Sequence, residues 1–295
     1  MRRGRSARRP QNRAVSPARV FVLTLLAMLA FAGNSLLCRA ALKSTAIDAA
    51  SFTAIRIAAG AIALWLIVRA RDGAMRSAGS WGSAAALFAY AAAFSYAYLS
   101  LTAATGALLL FGAVQTTMIA VGLWRGERLA ARQTAGLVCA LGGLVGLLLP
   151  GLAAPPWHGA LLMGAAGVAW GIYTLRAKGA GDPLQVTAGN FLRACAFAAG
   201  LGLAALPWAS LDPAGAGYAV ASGALASGVG YAIWYTALPG LRVTSAATVQ
   251  LSVPVLAALG GVALLGEPIT VRLLVASAAI LGGIALVIAG KAAVR

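Results

Sequence analysis

The chain has 295 residues, of which 61% are hydrophobic and only 10% are charged, and its formal net charge at pH 7 is +17. A water-soluble domain carries roughly 25% charged residues, so this composition excludes a soluble protein and makes the lipid bilayer the expected solvent and partner. The positive charge does not indicate nucleic-acid binding, because the lysines and arginines concentrate before residue 20 and at the ends of apolar runs.

The first segment, residues 1–18, is basic and has no apolar periodicity, which predicts a disordered cytoplasmic tail. A basic start before an apolar run also resembles a signal peptide, with residues 30–32 (Ala-Phe-Ala) as a cleavage site. The apolar run, however, continues to about Leu42, which is too long for a signal peptide, and further apolar runs follow. We therefore expect an uncleaved first helix.

Ten apolar segments follow one another along the chain, and each approaches the ~20 residues that a helix needs to cross the hydrocarbon layer. Helices are expected because every backbone polar group in lipid must be bonded within the protein. The sequence thus predicts an all-α integral membrane protein with ten transmembrane helices. The predicted spans are 20–42, 47–69, 81–101, 103–124, 131–150, 157–177, 184–207, 215–238, 244–265 and 270–290.

The distribution of basic residues predicts the orientation of these spans. If the N-terminus is cytoplasmic, the basic tail and most basic loops face the cytoplasm, and only Arg39, Lys43 and Arg272 face outward. Short cytoplasmic loops are enriched in lysine and arginine, so this is the favoured orientation. We predict a multi-pass protein of the inner (plasma) membrane with both termini in the cytoplasm.

The stretch 261–290 repeats an earlier stretch, 121–150, at a shift of 140 residues. This shift places the Gly-Glu pair at 126–127 on the pair at 266–267, Arg132 on Arg272, and Leu-Gly-Gly at 141–143 on 281–283. A second echo, at a shift of 137 residues, places Arg39 on Arg176 and Arg56 on Arg193.

This duplication predicts two five-helix repeats, residues 19–151 and 152–295. Because five is odd, the second repeat enters the membrane upside down relative to the first. Inverted repeats are a common plan of secondary transporters, in which the substrate site lies at the repeat interface near the midplane.

Several stretches resemble a known family. They are GVAWGIYTLRAK at 167–178, the in-membrane Arg56 and Arg193, and YAIWYTALPGLRVTSAATVQLSVPVLAALGGVALLGEPIT at 231–270. The chain resembles a ten-helix, EamA-type member of the drug/metabolite transporter superfamily, more closely in its second half. The first half departs from the pattern, with Ala-Gly-Asn at 32–34 where the family usually has Trp-Gly, and with Val114 opposite Pro254. The resemblance implies a secondary transporter, expected to be an exporter, for small metabolites such as amino acids or related compounds.

Two arginines, Arg56 and Arg193, lie within predicted spans. A charge at the centre of a membrane helix costs ~2.5–3.5 kcal/mol on insertion scales, so both should face the bundle or a water-filled cavity. Two interpretations remain open for each: a structural hydrogen bond to the carbonyl groups of a neighbouring helix, or binding of a substrate carboxylate or phosphate.

Aromatic residues recur at helical spacing in the third, sixth and eighth segments, which indicates either core packing or an aromatic-lined cavity. Polar side chains inside apolar segments are costly unless they have partners, so they are further candidates for lining a cavity. The candidate substrate-binding residues are Asn34, Arg56, Tyr98, Gln115, Trp170, Tyr173, Asn190, Arg193, Tyr231, Trp234, Tyr235 and Gln250.

The punctuation Gly266-Glu267-Pro268 is interpreted as a turn between two helices. Gly266 suits a helix C-terminus, Pro268 suits the first turn of the next helix, and Glu267 is expected near that helix N-terminus, paired with Arg272. Proton coupling through Glu267 is the alternative. The structural turn and its repeat register comprise Gly126, Glu127, Arg132, Gly266, Glu267, Pro268 and Arg272.

The chain shows no pattern that favours an enzyme, a metal site or a cofactor, and we expect none of the three. Its one histidine, His158, lies at a segment edge, and its six carboxylates lie near segment ends or in loops. The expected partner is a small-molecule substrate, without nucleic acid, and a homodimer is left open. A channel or a structural membrane protein is the second interpretation, and a membrane-embedded enzyme is the third.

Overall fold

The computed structural model describes residues 16–292 except Glu127, residues 152–153 and Lys178, and it gives no side-chain description of residues 243, 244 and 290–292. Glu127 and most of the predicted tail therefore lie outside the described residues. Ten helical spans follow one another. They are α1 Pro17–Ser44, α2 Ala49–Asp72, α3 Trp81–Ala97, α4 Ala103–Trp124, α5 Ala131–Leu148, α6 Trp157–Ala177, α7 Pro183–Ala204, α8 Pro213–Gly240, α9 Ser245–Leu265 and α10 Val271–Ala292.

Nine of these spans are long and apolar enough to cross a membrane, as judged over the described part of the chain. The remaining one, α3, has 17 residues and lies between two such spans. The prediction of an all-α membrane protein is therefore confirmed. The helix α1 begins earlier than predicted, because Ser16 caps it by accepting a hydrogen bond from the Arg19 amide at 3.3 Å and Pro17 occupies its first turn.

The spans α8 and α9 are less regular than predicted. Within α8, the segment Ala221–Val229 is a π-helix between two α-helical segments. The span α9 is divided into helices Val243–Val249 and Ser252–Leu265, with a turn at 250–251. Pro254 explains this break, because proline has no amide hydrogen and its ring clashes with the carbonyl of the residue four positions earlier, Gln250.

The packing of the helices has the symmetry of an inverted duplication. Helices at matching positions of the two halves pack against each other: α2 on α7, α4 on α9, and α5 on α10. Other contacts occur in matching pairs, since α3 packs on α6 as α8 packs on α1, and α4 packs on α6 as α9 packs on α1. Five helices in each half invert the second half, as predicted.

Glycines bring the backbones of α5 and α10 together. A Cβ atom at Gly136 would lie 2.5 Å from the carbonyl oxygen of Gly283, and one at Gly143 would lie 2.7 Å from the Ala279 side chain. The repeated Leu-Gly-Gly motif therefore marks this helix contact. The Gly142-x-x-x-Gly146 pair, a natural candidate for such packing, has no neighbour within 4 Å in the described structure.

We call the end of the bundle at which α1 begins the tail end, and the opposite end the far end. Successive helices alternate in direction, so the turn at Gly266 lies at the far end and the turn at Gly126 lies at the tail end. Both glycines have a positive φ, 62° and 88°, which favours glycine because it has no Cβ atom. The two turns are thus equivalent in conformation and opposite in position.

Candidate functional site

Arg56 is the centre of a buried polar network near the middle of the bundle. It is only 3% exposed, and its Nη2 donates to Asn34 Oδ1 at 3.2 Å. The same oxygen accepts a hydrogen bond from Ser222 Oγ at 2.7 Å, and Asn34 Nδ2 donates to the Tyr90 hydroxyl at 3.2 Å. The network therefore joins α1, α2, α3 and the π-helical segment of α8.

Aromatic rings surround the guanidinium group of Arg56. Its Cζ lies 5.0 Å from the ring centroid of Phe94 and 5.8 Å from that of Tyr90, which are cation–π distances. Tyr90 in turn lies 4.7 Å from Trp170, and Trp170 stacks on Tyr231 at 5.7 Å with an interplanar angle of 16°. We call Tyr90, Phe94, Trp170 and Tyr231 the aromatic cluster.

The two in-membrane arginines have different surroundings. Arg193 Nη1 donates to the carbonyl oxygens of Ala78 at 2.7 Å and Gly189 at 2.9 Å, so its environment fits the structural interpretation. Arg56 Nη1, in contrast, is buried and finds no hydrogen-bond acceptor among the residues that the structure describes. Of the two, Arg56 is the one with a donor available for a ligand.

A second polar network lies between α6, α7 and α8. Asn190, which is 1% exposed, accepts a hydrogen bond from the Ser80 amide at 2.9 Å and donates to the Tyr173 hydroxyl at 3.4 Å. The hydroxyl groups of Thr187 and Tyr235 are hydrogen bonded at 3.0 Å. Tyr235 stacks on Tyr231 at 6.3 Å, which links this network to the aromatic cluster.

The remaining sequence candidates lie elsewhere. Tyr98 is completely buried, and its hydroxyl donates to the Ala103 carbonyl at 3.3 Å toward the far end. Trp234 packs in a separate hydrophobic cluster, where it meets Phe31 edge to face at 6.1 Å. Gln115 on α4 and Gln250 at the break of α9 are half-buried, and the structure brings neither into the two networks.

The far end is joined by Glu267, a buried carboxylate with 5% exposure. Its Oε1 accepts from Arg39 Nε at 3.0 Å, and its Oε2 accepts from the backbone amide of Ala103, the first residue of α4, at 2.8 Å. Arg39 Nη1 also donates to the Tyr98 carbonyl at 2.8 Å, and Lys43 donates to the Leu265 carbonyl at 2.9 Å. We call the pair Arg39–Glu267 the far-end ion pair.

The predicted pairing of Glu267 with Arg272 is wrong. Arg272 instead donates to the carbonyl groups of Leu149 and Pro150, beyond the C-terminus of α5. The carboxylate does lie at a helix N-terminus, but at that of α4 rather than that of the helix that follows it in sequence. Pro268 precedes α10, which begins only at Val271 with Thr270 as its cap, and so does not occupy its first turn. Arg132, the counterpart of Arg272, is exposed.

The tail end has a different structure. Arg71 forms exposed ion pairs with Asp72 at 2.7 Å and Asp182 at 2.9 Å. Partial burial acts to raise the pKa of Asp182, but hydrogen bonds from Arg71 and from the backbone of α7 outweigh it and hold the pKa below its ordinary value. A cavity of about 240 Å³ opens here between α2, α7 and α8. It is lined by Ile67, Arg71, Asp182, Pro183, Leu184, Ala232, Tyr235 and Thr236.

Comparisons with known proteins agree with this architecture. Residues 157–289 match the EamA-like transporter family. The uncharacterized protein PA1977 of Pseudomonas aeruginosa is 62% identical over 279 residues, which cover 93% of this chain and 97% of that protein. The chain belongs to the EamA-like transporter family. A solved crystal structure with 22% identity matches 92% of this EamA chain and 98% of its own chain with a TM-score of 0.64, which shows a common fold.

Within this EamA-family chain, sequence reasoning missed several residues of the networks. Ser222 lies in a Gly-Ala-Ser segment that carries no signal of a polar site, and Thr187 reads as an ordinary helix residue. The partnership of Arg39 with Glu267 joins residues 228 positions apart. A partial signal was available, because Arg39 and Glu267 each belong to one of the two repeat echoes.

Proposed function

We propose that the chain is a secondary carrier that exports a small metabolite, such as an amino acid or a related compound, across the inner (plasma) membrane. It would move its substrate unchanged, without acting as an enzyme, by alternating access between the two inverted repeats. In the proposed orientation both termini are cytoplasmic, so the tail end faces the cytoplasm and the far end faces outward. The proposed repeats are residues 19–151 and 152–295.

The difference between the two ends of the bundle is the observation that carries this proposal. The far-end ion pair, with the hydrogen bonds around it, joins α1, α3, α4 and the turn before α10. At the tail end, by contrast, a cavity reaches Tyr235 on α8. A carrier must expose its site to one side at a time, and a bundle joined at one end and open at the other is one of the states it requires.

The proposed substrate site lies between the tail-end cavity and the far-end ion pair. Its residues are Arg56 and Asn34, with the aromatic cluster around them. Tyr235 lines the cavity and stacks on Tyr231, so it marks the route from the cavity to the site. Large aromatic faces with a few polar groups are typical of sites for small amphipathic molecules.

A metabolite screen followed by reconstitution tests the function. Compounds that become enriched in the medium of cells with the protein, relative to cells without it, identify the substrate. In proteoliposomes, we expect saturable counterflow, in which an unlabelled pool inside the vesicle accelerates entry of the labelled substrate. A flux that rises linearly with concentration and shows no counterflow would indicate a channel instead.

Side-specific labelling tests the orientation. In a variant with Cys38, Cys139 and Cys195 replaced by serine, Ala74→Cys at the tail end and Leu211→Cys at the far end are both exposed. A membrane-impermeant maleimide should reach Leu211→Cys from outside intact cells and Ala74→Cys only after the cells are opened. Labelling of both from the same side would contradict the proposed topology.

A further inference from the structure

We infer that Arg56 is the anion anchor of the substrate site, so that the transported molecule is a small organic monoanion with a planar apolar body, exported by the membrane potential without a coupled ion. This inference rests on the proposed carrier function and specifies its substrate class and driving force.

The argument begins with the unbalanced charge of Arg56. A guanidinium group stays protonated in proteins, and this one is 3% exposed. Within the described part of the chain, the ion pairs involve only Arg39 and Arg71, so no carboxylate compensates Arg56. A buried charge is costly unless it is paired and hydrogen bonded. A bound anion would supply both the missing counter-charge and an acceptor for Nη1.

The surroundings of Arg56 specify the rest of the ligand. Asn34 Oδ1 already accepts hydrogen bonds from both Arg56 Nη2 and Ser222 Oγ, which leaves Nη1 as the donor with no described acceptor. The stacked faces of Trp170 and Tyr231 fit a flat apolar body, since aromatic groups prefer to stack in this way. A carboxylate attached to a planar body satisfies both features.

The π-helical segment of α8 lies directly against this site. A Cβ atom at Gly223 would collide with the backbone carbonyl of Arg56, so the backbones of α2 and α8 touch there. Ser222, the neighbouring residue, supplies a hydroxyl group to the network. Since π-helical turns are rare and frequently mark functional sites, their presence opposite Arg56 is an independent sign of ligand binding.

Arg193, at the matching position of the second repeat, shows why only one anion is expected. Its Nη1 is already occupied by two backbone carbonyl oxygens, those of Ala78 and Gly189. The duplication therefore provides two arginines, of which one fixes the fold and the other has a donor to offer.

The charge of the anchor also determines the driving force. The empty site carries the positive charge of Arg56, and binding of a monoanion neutralises it, so each transport cycle moves one negative charge outward. A cell interior that is negative by about 100 mV favours this export about 50-fold. No proton-binding carboxylate is then needed in the membrane core. The acidic residues that the structure describes lie at helix ends or in turns, namely Asp48, Asp72, Asp182, Asp212 and Glu267.

Three probes with the same aromatic body and different head groups test the inference: phenylacetate, an anion; phenylalanine, a zwitterion; and phenethylamine, a cation. Binding to the purified full chain is measured by quenching of tryptophan fluorescence. We expect phenylacetate to bind at least tenfold more tightly than the other two. In proteoliposomes clamped with valinomycin and a potassium gradient, an inside-positive potential of about 59 mV should concentrate phenylacetate about tenfold.

Matched variants assign the effect to Arg56. We expect Arg56→Gln to weaken phenylacetate binding at least tenfold and to remove the preference for the anion, whereas Arg56→Lys should retain that preference. Arg193→Lys, which keeps a donor toward the Ala78 carbonyl, is the control and should leave the order of the three probes unchanged.

The possible failures are distinguishable. Preference for phenylalanine or phenethylamine, binding of none of the probes, an anion preference that survives Arg56→Gln, or phenylacetate accumulation insensitive to the potential would each overturn the inference. Counterflow of the substrate found in cells would leave the carrier function standing in all four cases. Conversely, phenylacetate binding without any counterflow would contradict the carrier and leave the anion site.

Discussion

The two ends of the bundle both carry arginine–carboxylate pairs, but they differ in burial. At the far end the side chains of Arg39 and Glu267 are 12% and 4% exposed, whereas at the tail end those of Arg71 and Asp72 are 41% and 24% exposed. Water screens the exposed pair, so the same chemistry gives a weak contact at the tail end and a strong one at the far end. Burial, rather than the number of ion pairs, distinguishes the joined end from the open one.

The duplicated arginines show the same contrast. Arg39 and Arg176 occupy matching positions of the two repeats, yet Arg39 binds Glu267 while Arg176 Nε donates to the Ser83 hydroxyl at 3.2 Å. A charged acceptor that is itself bonded to a helix N-terminus has been replaced by a neutral hydroxyl group. The two ends therefore do not have the same contacts at the same time, which is what alternation between them requires.

The largest effect is expected from breaking the far-end ion pair. Glu267→Ala leaves Arg39 and the Ala103 amide without their carboxylate, and removal of one partner from a buried pair costs about 3–5 kcal/mol of the free energy of unfolding. Unfolding in mixed micelles measures this change. The double variant Arg39→Ala/Glu267→Ala should lose less than the sum of the single variants. A loss below about 1 kcal/mol for Glu267→Ala would show that the pair does not hold the far end.

A smaller effect is expected at the contact of α5 with α10, which connects the two ends. Gly283→Val places side-chain atoms against the backbone of Gly136 and should cost about 1–3 kcal/mol of the free energy of unfolding. Gly282→Val is the matched control, because nothing lies within 4 Å of that position. Equal losses in the two neighbouring variants would contradict the close backbone contact.

At the tail end the effect of removing an ion pair should be small. Arg71→Ala is expected to cost about 0.2–1 kcal/mol of the free energy of unfolding, because its partners are solvent-accessible and the pair is screened by salt. The same micelle titration, repeated at high salt, should show a still smaller loss. A loss comparable to that of Glu267→Ala would remove the contrast between the two ends.

The smallest effect is expected from protonating Asp182. Its pKa lies below its ordinary value in the folded protein, so its contribution to stability is complete above the unfolded pKa of about 3.9 and is lost as the pH falls through the folded pKa. Stability measured from pH 7 down to pH 3 should therefore fall slightly more for the wild type than for Asp182→Asn, which keeps a helix-capping side chain. A steeper fall in the variant would reverse the sign of this argument.

The sequence predicts those features of the fold that depend on the order of residues along the chain. Length and hydropathy identify the spans, and the repeated Gly-Glu and Leu-Gly-Gly motifs indicate the duplication. The partner of Glu267 could not be predicted, because the nearest arginine in sequence, Arg272, is not the nearest in space. The π-helical segment was missed because its alanine, serine and glycine residues are equally compatible with an α-helix.

For the candidate site, the sequence predicts residue types but not their surroundings. Arg56 and Arg193 have the same sequence signal, namely a charge within an apolar run. Only the packing of neighbouring helices supplies carbonyl acceptors to Arg193 and aromatic rings to Arg56. Whether a buried polar group has a partner depends on contacts distant in sequence, and no local pattern reports them.

The glycine contact between α5 and α10 has an evolutionary consequence. Gly136 and Gly283 lie in different copies of the duplicated unit, and each occupies the space that a side chain on the other would need. After the duplication, neither position could accept a larger residue without a compensating change in the opposite copy. The two halves were thus free to diverge at Arg56 and Arg193, while this contact bound their histories together.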